Sequence, residues 1–427
     1  MANTYLTRTV GTATTATKYT LSMWIKRSKL SSEMNLIGIS SGTVIELIKF
    51  TAANKLEWYN RDSASNVSNA ATSNVFRDTS AWMHLVFVYD STQSGSNPEL
   101  QKKLYINGVN QTFASNVGLA ANAVAGMNLS GAVTKIGAEY SPNYYFDGSI
   151  SHIHFVDGTA YQASDFGETD STTGEWKIKT SPSVTYGNNG FFILKDGNSV
   201  TDQSGNSNNF TVAGGTLTKT EDSPSNNFAT LNNLVGDVAG GYTIINGNLS
   251  VTANTGDAWR TMYGTIAASK GKFYFEQKID NASGTSHYVG ASEVENMEQT
   301  NTNGFEDTAT SAYCYRPDGG KVSKDSLTAG WGASWTAGDI IGTAIDIDNL
   351  KIYFSKNGVW QASGDPTSGA TGTGAAYTID AGKTYTAATA TYNTQNDYSY
   401  NFGNGYFATS AVSSAGTNAS GIGIFEY

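Results

Sequence analysis

Cysteine is nearly absent. Cys314 stands alone in 427 residues, so neither an intramolecular disulfide nor a cysteine-built metal site can form, and the residue reads as a small buried hydrophobe in Tyr313-Cys314-Tyr315. Positive charge is also scarce: 26 Lys and Arg face 36 Asp and Glu, a formal net charge of -10. With no basic cluster to concentrate cations, phosphate binding is disfavoured and nucleic acid is excluded as a partner. No run of roughly 18 or more apolar residues occurs, so no membrane insertion is expected. Met1-Ala2-Asn3-Thr4 lacks the basic and apolar regions of a secretion signal, and none is expected. Nucleophile-elbow, phosphate-loop and HExxH patterns are missing. Proline numbers 6 against 46 glycines, and no long window carries the helical period. What is present, 39% hydrophobic and 12% aromatic residues broken up by Ser, Thr, Asn and Gly, is an all-β profile, long enough for two or three cores.

The most informative stretch is residues 338–358. Ile345 and Ile347 alternate with Asp346 and Asp348, and β-branched and aromatic residues dominate both sides of Asp348-Asn349. This predicts a β-hairpin with one dry and one wet face, its left-handed turn residue at Asn349. An echo lies at Lys103-Leu104-Tyr105-Ile106-Asn107-Gly108, where the Lys-x-Tyr start and Asn-Gly finish of Lys351-Ile352-Tyr353 and Asn357-Gly358 recur. Two sandwiches of one design follow, with Lys103 and Tyr105 equivalent to Lys351 and Tyr353.

The first series of strands begins where Leu21, Met23 and Ile25 alternate with Thr20, Ser22 and Trp24. Its Trp82-Met83-His84-Leu85, Leu104-Tyr105-Ile106-Asn107-Gly108 and Phe146-Asp147-Gly148-Ser149-Ile150 motifs, in that order over residues 19–166, resemble the laminin-G-like, concanavalin A-like sandwich. The resemblance implies a jelly roll that binds glycans or proteins. Some members hold calcium in a loop, but no acidic cluster here matches such a site. Phe191 to Leu194 reads as a buried strand completing this sandwich. Asp202-Gln203-Ser204-Gly205-Asn206 and Asp222-Ser223-Pro224-Ser225-Asn226-Asn227 read as turns and linker, in a segment that resembles structural proteins of marine bacteriophages.

Further on, Gly271-Lys272-Phe273-Tyr274-Phe275-Glu276, Val289-Gly290-Ala291, Tyr315-Arg316-Pro317-Asp318-Gly319-Gly320-Lys321, Gly338-Asp339-Ile340-Ile341-Gly342 and Ile352-Tyr353-Phe354-Ser355-Lys356-Asn357-Gly358 resemble the SPRY sandwich in order and spacing. That resemblance spans residues 257–407 and implies an interaction module with its ligand across loops at one end. Residues 363–376 form a longer Gly- and Thr-rich connection than the family pattern has. The expected division is an N-terminal arm over 1–18, a first sandwich over 19–220, a linker over 221–240 and a second sandwich over 241–427. The polar arm is expected to pack on a neighbouring chain or to add a strand to a sheet.

Chemistry has few candidates. His152 and His154 stand two apart on a strand and would share a face, which two metal ligands require, but spacing offers no third ligand and solvated histidines are expected. Asp346 and Asp348 could serve as paired carboxylates of a glycan depolymerase, though hairpin alternation accounts for them. The acidic stretch from Glu293 through Glu295 to Glu298 reads as a solvated loop rather than a cation site. The preferred ligand-binding set is Tyr313, Tyr315, Arg316, Trp331 and Trp335. Arg316 would fork onto a carboxylate while an indole offers a stacking face, with one of the two tryptophans alternatively plugging the sandwich edge. No cofactor and no metal are expected. Together with the resemblances this gives the expectation of a non-enzymatic virion protein at the particle surface. It would be a tail fibre or appendage contacting host glycans or proteins, homo-oligomeric and joined to other virion proteins, with capsid decoration or head fibre as the alternative.

Overall fold

The computed structural model describes residues 3–62, 67–94, 97–195, 197–236, 241–253, 258–282, 284, 286–297, 304–305, 312–324, 326–392, 396–417 and 421–427. It divides into two compact units, Met1–Lys219 with Ser223–Asn227, and Thr220–Asp222 with Phe228–Tyr427.

In the first unit the strands are β1 Tyr5–Thr9, β2 Lys18–Arg27, β3 Met34–Ser41, β4 Val44–Phe50, β5 Leu56–Arg61, β6 Val67–Thr72, β7 Met83–Asp90, β8 Lys102–Ile106, β9 Val109–Asn110, β10 Phe113–Asn116, β11 Val133–Ile136, β12 Gly148–Asp157, β13 Gly167–Thr169, β14 Trp176–Ile178, β15 Phe191–Ile193 and β16 Thr211–Ala213. Among the described residues, one sheet runs β10-β6-β5-β4-β3-β11-β1-β16 and the other β15-β12-β2-β7-β8-β9, all antiparallel. Period-two alternation sends Leu21, Met23 and Ile25 inward onto Ile37, Ile39, Phe50 and Trp58. Burying each such side chain is worth roughly 1.5–3 kcal/mol, so these inner faces dominate the stability of the unit. Phe191 to Ile193 closes the second sheet as expected, on β12.

Of the two outcomes expected for the N-terminal arm, strand addition to a sheet is the one found, within its own sandwich. Residues 5–9 are no free arm: β1 lies between β11 and β16 of its own sandwich, with Leu6 and Val10 in the core. The alternating Leu6 and Val10, hidden among threonines, supply the burial. In β12 the register shifts between Ser151 and His154, and His152 takes φ +46°, a bulge. Both imidazoles nevertheless lie on one side of the strand, against the Phe192 ring at 5.9 and 3.8 Å, while Ile153 and Phe155 face the core. Residues 158–190 then fold back over the outer face of the second sheet, where Phe166, Ala163 and Trp176 pack on Val86, Val88 and Val156.

The second unit contains β17 Tyr242–Ile245, β18 Ser250–Ala253, β19 Arg260–Ala268, β20 Lys272–Asn281, β21 His287–Glu293, β22 Ala312–Tyr315, β23 Lys321–Ser323, β24 Ser326–Thr328, β25 Ile340–Asp346, β26 Lys351–Lys356, β27 Val359–Trp360, β28 Tyr377–Thr378, β29 Tyr385–Thr391 and β30 Asp397–Asn401. One sheet runs β17-β18-β30-β20-β25-β26-β27, with β28 also on β26, and the other runs β19-β29-β21-β22-β23-β24. The β25-β26 hairpin forms as expected, but both of its faces are dry. Ile341, Ile345, Ile352 and Phe354 face the core. On the other side Tyr353 lies under residues 361–374, its hydroxyl 3.3 Å from Ser368 Oγ. Nearby, Glu276 of β20 accepts the backbone N–H groups of Glu426 and Tyr427, each at 2.9 Å. The left-handed residue of the turn is Leu350 at φ +60°, not Asn349. Asn349 instead gives its N–H and its amide to the Asp346 carboxylate at 3.0 and 2.8 Å, which leaves the last loop position to reverse the chain.

The two Asn-Gly turns match closely. Asn107 and Gly108 take φ +48° and +78°, Asn357 and Gly358 +47° and +76°, as a two-residue type I′ turn requires. Each asparagine Oδ1 accepts an N–H from the strand on the other side at 2.8 Å, from His84 of β7 in the first unit and Ile340 of β25 in the second. Aligning these turns sets Lys103 opposite Tyr353 rather than Lys351. The Lys-x-Tyr equivalence is therefore out by two residues, an even slip that keeps the faces in phase.

Candidate functional site

Alternation along β22 decides the fate of the aromatic candidates. Tyr313 and Tyr315 point between the sheets with Trp335, while Ala312 and Cys314 face the other way into a second cluster. Tyr315 is fully buried and Trp335 is 3% exposed. Neither can offer a ring to a ligand, and Tyr313 at 3% fares no better. Burial pushes the Cys314 thiol well up, as its reading as a core hydrophobe implies. Arg316 does not stand ready for a carboxylate either. Its Nη2 lies 3.3 Å from Asp318 Oδ2 and its guanidinium covers the Tyr288 ring at 5.2 Å. The sequence placed these residues correctly on neighbouring elements, but β-alternation and a local ion pair turn them to structural work.

Trp331 is the exception. It is partly exposed and packs edge-on against Tyr315 and Phe354 at 5.5 and 6.1 Å. The loop around it is pinned by Gly332 N–H to Gly319 O at 2.8 Å and by Ala333 N–H to Gln361 Oε1 at 2.7 Å. Lys321 Nζ sits 5.3 Å from its ring centroid, a cation–π arrangement.

The ionisable groups with catalytic potential are held in place by their neighbours. His84 Nε2 lies 2.8 Å from Ser22 Oγ, the spacing of a nucleophile and its base. Trp176 Nε1, however, donates to His84 Nδ1 at 3.0 Å. An indole nitrogen can only donate, so the imidazole proton must sit on Nε2 and point at Ser22, the reverse of what a base requires. Burial lowers the His84 pKa to about 3 and the His287 pKa to about 3. His154 is also buried, stacked on Phe192 at 3.8 Å with Nδ1 2.8 Å from the Tyr186 hydroxyl, which corrects the expectation of a solvated ring. Among the carboxylates, Asp346 caps its own turn and meets Lys272 Nζ at 3.0 Å, and Asp348 accepts Gly271 N–H at 2.8 Å. Glu46, sealed in the first core, accepts from the Tyr19 hydroxyl, from Trp58 Nε1 at 3.1 Å and from Met127 N–H at 3.0 Å. Glu293 is buried beside Asp380 and Lys383, and both desolvation and Asp380 push its carboxyl up. Glu298 lies outside the described residues.

A concavity that sequence reasoning missed lies in the first unit. The connection from β2 to β3 crosses from one sheet to the other, and the connection from β11 to β12 crosses back beside it, because β2 neighbours β12 and β3 neighbours β11. Backbone bonds stitch the pair at both margins: Ser28 N–H to Asp147 O at 3.0 Å, and Asn35 N–H to Tyr144 O at 2.8 Å. Between them opens a cleft of about 460 Å³ lined by Lys29, Ser32, Glu33, Asn143, Tyr144 and Asp147, with Asn3, Met34, Tyr145 and Phe146 completing it. Tyr144 is 52% exposed and takes φ +45°. Burial pushes the Asp147 carboxyl up, and Lys29 opposes that shift. Glu33 is held by Lys49 at 3.0 Å. The Ser141-Pro142-Asn143 turn signal ahead of three aromatics was the available clue.

Comparison with known proteins matches residues 2–164 to the model of the concanavalin A-like lectin/glucanases superfamily and residues 272–403 to that of the SPRY domain. The first match takes in β1, in keeping with its place in the sheet. No curated protein matches the chain. Among solved structures, the SPRY domain of human HERC1 is 18% identical over 37% of this chain and 91% of its own, with a TM-score of 0.30. A second human SPRY domain is 16% identical over 38% and 94%, at 0.27. The native heptameric SAP-like pentraxin of Limulus polyphemus is 14% identical over 50% and 90%, at 0.32.

Proposed function

From an all-β chain in which a concanavalin A-like sandwich and a SPRY domain stand in tandem, we propose a non-enzymatic binding protein on the surface of a bacteriophage particle. In this reading it is a tail fibre or related appendage that contacts host-surface glycans or proteins through β-sandwich loops. The observation that carries the binding role is Trp331, an indole held at the surface by a pinned loop with the Lys321 ammonium over its ring. Such rigid aromatic anchors supply most of the energy of protein and glycan interfaces. The particle setting rests on the resemblance of the Asp202 and Asp222 segments to virion proteins, and the acidic, disulfide-free composition accords with it.

Particles carrying Trp331→Ala are expected to adsorb to host cells at least about tenfold more weakly, the loss of a central anchor of roughly 1.4 kcal/mol or more. Melting of the purified variant checks its fold. Unchanged adsorption by a well-folded variant removes this loop as the contact surface. Immunogold labelling of intact particles tests the location: label on tails supports the appendage, label on heads moves the protein to capsid decoration, and unlabelled particles overturn the virion role.

A further inference from the structure

We propose that residues 413–427 form an exchangeable arm, and that the outer face of the second sandwich around Glu276 accepts this arm from a second copy of the chain as well as from its own. The proposal goes beyond the binding role above and does not rest on it.

Alternation builds the face. Phe275 and Ile279 of β20 point into the core, so Glu276 points outward. Register sets Asn401 of β30 on one side of it and Gly342 of β25 on the other, with Ser355 of β26 beyond. A carboxylate on the outside of a sheet ordinarily stands in water. Glu276 is instead fully buried, and among the described residues no lysine or arginine pairs with it. Four donors satisfy it. Oε1 accepts from the Tyr274 hydroxyl at 3.1 Å and from Tyr427 N–H, and Oε2 from the Asn401 amide at 3.0 Å and from Glu426 N–H. Two of the four come from the arm, and both are main-chain groups.

The rest of the attachment is largely of the same kind. Ile424 N–H reaches Gly403 O at 2.9 Å, and Ile424 O accepts from the Asn401 amide at 3.0 Å. Phe425, 5% exposed, adds an apolar contact by meeting the Tyr274 ring edge-on at 5.0 Å. Tyr427 lies against Gly358, where a Cβ would come within 2.7 Å of its ring. Inside the arm, Ser413 N–H bonds the Glu426 carboxylate at 2.6 Å, and Gly416 and Thr417 pair with Phe425 and Ile424. Those bonds travel with the arm wherever it docks. The contacts with the face are met equally by the same residues of another copy, which is the condition for exchange of a segment. The carboxylate anchor also suits release. An apolar patch would be left sticky, whereas Glu276, whose carboxyl burial pushes up, regains water when the arm leaves.

The test follows the arm in trans. A fluorescein-labelled peptide of residues 413–427, amidated at its end, is titrated into the full chain. Wild type is expected to bind it weakly, because its own arm competes at high local concentration. Phe425→Ala loosens that arm and removes no side chain from the core between the sheets, so it is expected to bind the peptide at least tenfold more tightly. Adding Glu276→Gln, which turns an amide NH2 toward one of the two incoming N–H groups, should weaken that binding at least tenfold. No binding by Phe425→Ala, or binding indifferent to Glu276→Gln, overturns the docking face. A second measurement needs no variant. Unlabelled and nitrogen-15-labelled wild-type chains are refolded together at high concentration and weighed by native mass spectrometry. Mixed dimers that dissolve in excess peptide support exchange; monomers alone, or dimers indifferent to the peptide, overturn it.

Discussion

A serine hydroxyl 2.8 Å from an imidazole nitrogen invites a catalytic reading, and at Ser22 and His84 it is the third neighbour, Trp176, that decides against it. Nitrogen-15 NMR at neutral pH is expected to find His84 as the Nε2-protonated tautomer; a proton on Nδ1 would break the argument. Lys102 shows a different consequence of burial. Its ammonium is 2% exposed, donates to Trp58 O at 3.1 Å and lies 5.1 Å from that indole, and desolvation, only partly opposed by Glu46, lowers its pKa to about 7. Because the folded-state pKa is below the unfolded one, the unfolded chain holds more protons between about pH 7 and the ordinary lysine value. Stability therefore rises with pH across that window, with a slope of up to roughly 1.4 kcal/mol per pH unit from this group. Urea unfolding at pH 7.5 and 9.5 should show the rise in wild type and a flatter profile in Lys102→Met. Equal slopes would mean that the lysine keeps its charge in the fold.

Turns and coverings are where elements were easiest and hardest to foresee. Asn107-Gly108 and Asn357-Gly358 were legible because two positive φ angles in a row leave few residue choices. A Cβ on Gly108 would also come within 2.5 Å of Trp176, whereas Gly42, at φ +59°, has open space around it. Gly108→Ala is thus expected to lower stability by about 2 kcal/mol or more, and Gly42→Ala by only about 1 kcal/mol. Denaturant titration compares them, and equal losses would show that Trp176 yields easily. The inner stripes Leu21-Met23-Ile25 and Ile341-Ile345 were equally readable from alternation. What could not be read was their outer sides, since residues 158–190 and 361–374 arrive from elsewhere in the chain and carry no period of their own. The candidate site suffered in the same way. Tyr313, Tyr315 and Trp335 looked available only because nothing in a strand's own sequence says whether it has a neighbour on both faces. Tyr144 was overlooked because its exposure depends on a backbone angle that Tyr144-Tyr145-Phe146 does not advertise.

For the whole molecule, each unit carries its own core, so calorimetry of the full chain is expected to resolve two transitions. Deleting residues 1–10 removes Leu6 and Val10, leaves β16 without a neighbouring strand and β11 with β3 alone, so it should depress the transition of the first unit and leave the second in place. A truncated chain with an unchanged first transition would mean that β11 and β16 close up without β1. The same placement of β1 bears on biosynthesis. Tyr5 pairs with Ala213 and Leu6 with Ile136, so β1 leaves the ribosome long before β11, its first partner, and longer still before β16 completes the sheet. At about 5–20 residues per second this is a wait of roughly 10–40 s with an incomplete sheet. During that time its apolar side chains are open to chaperones and to other nascent chains on the same message, which makes translation speed through residues 133–213 a determinant of yield.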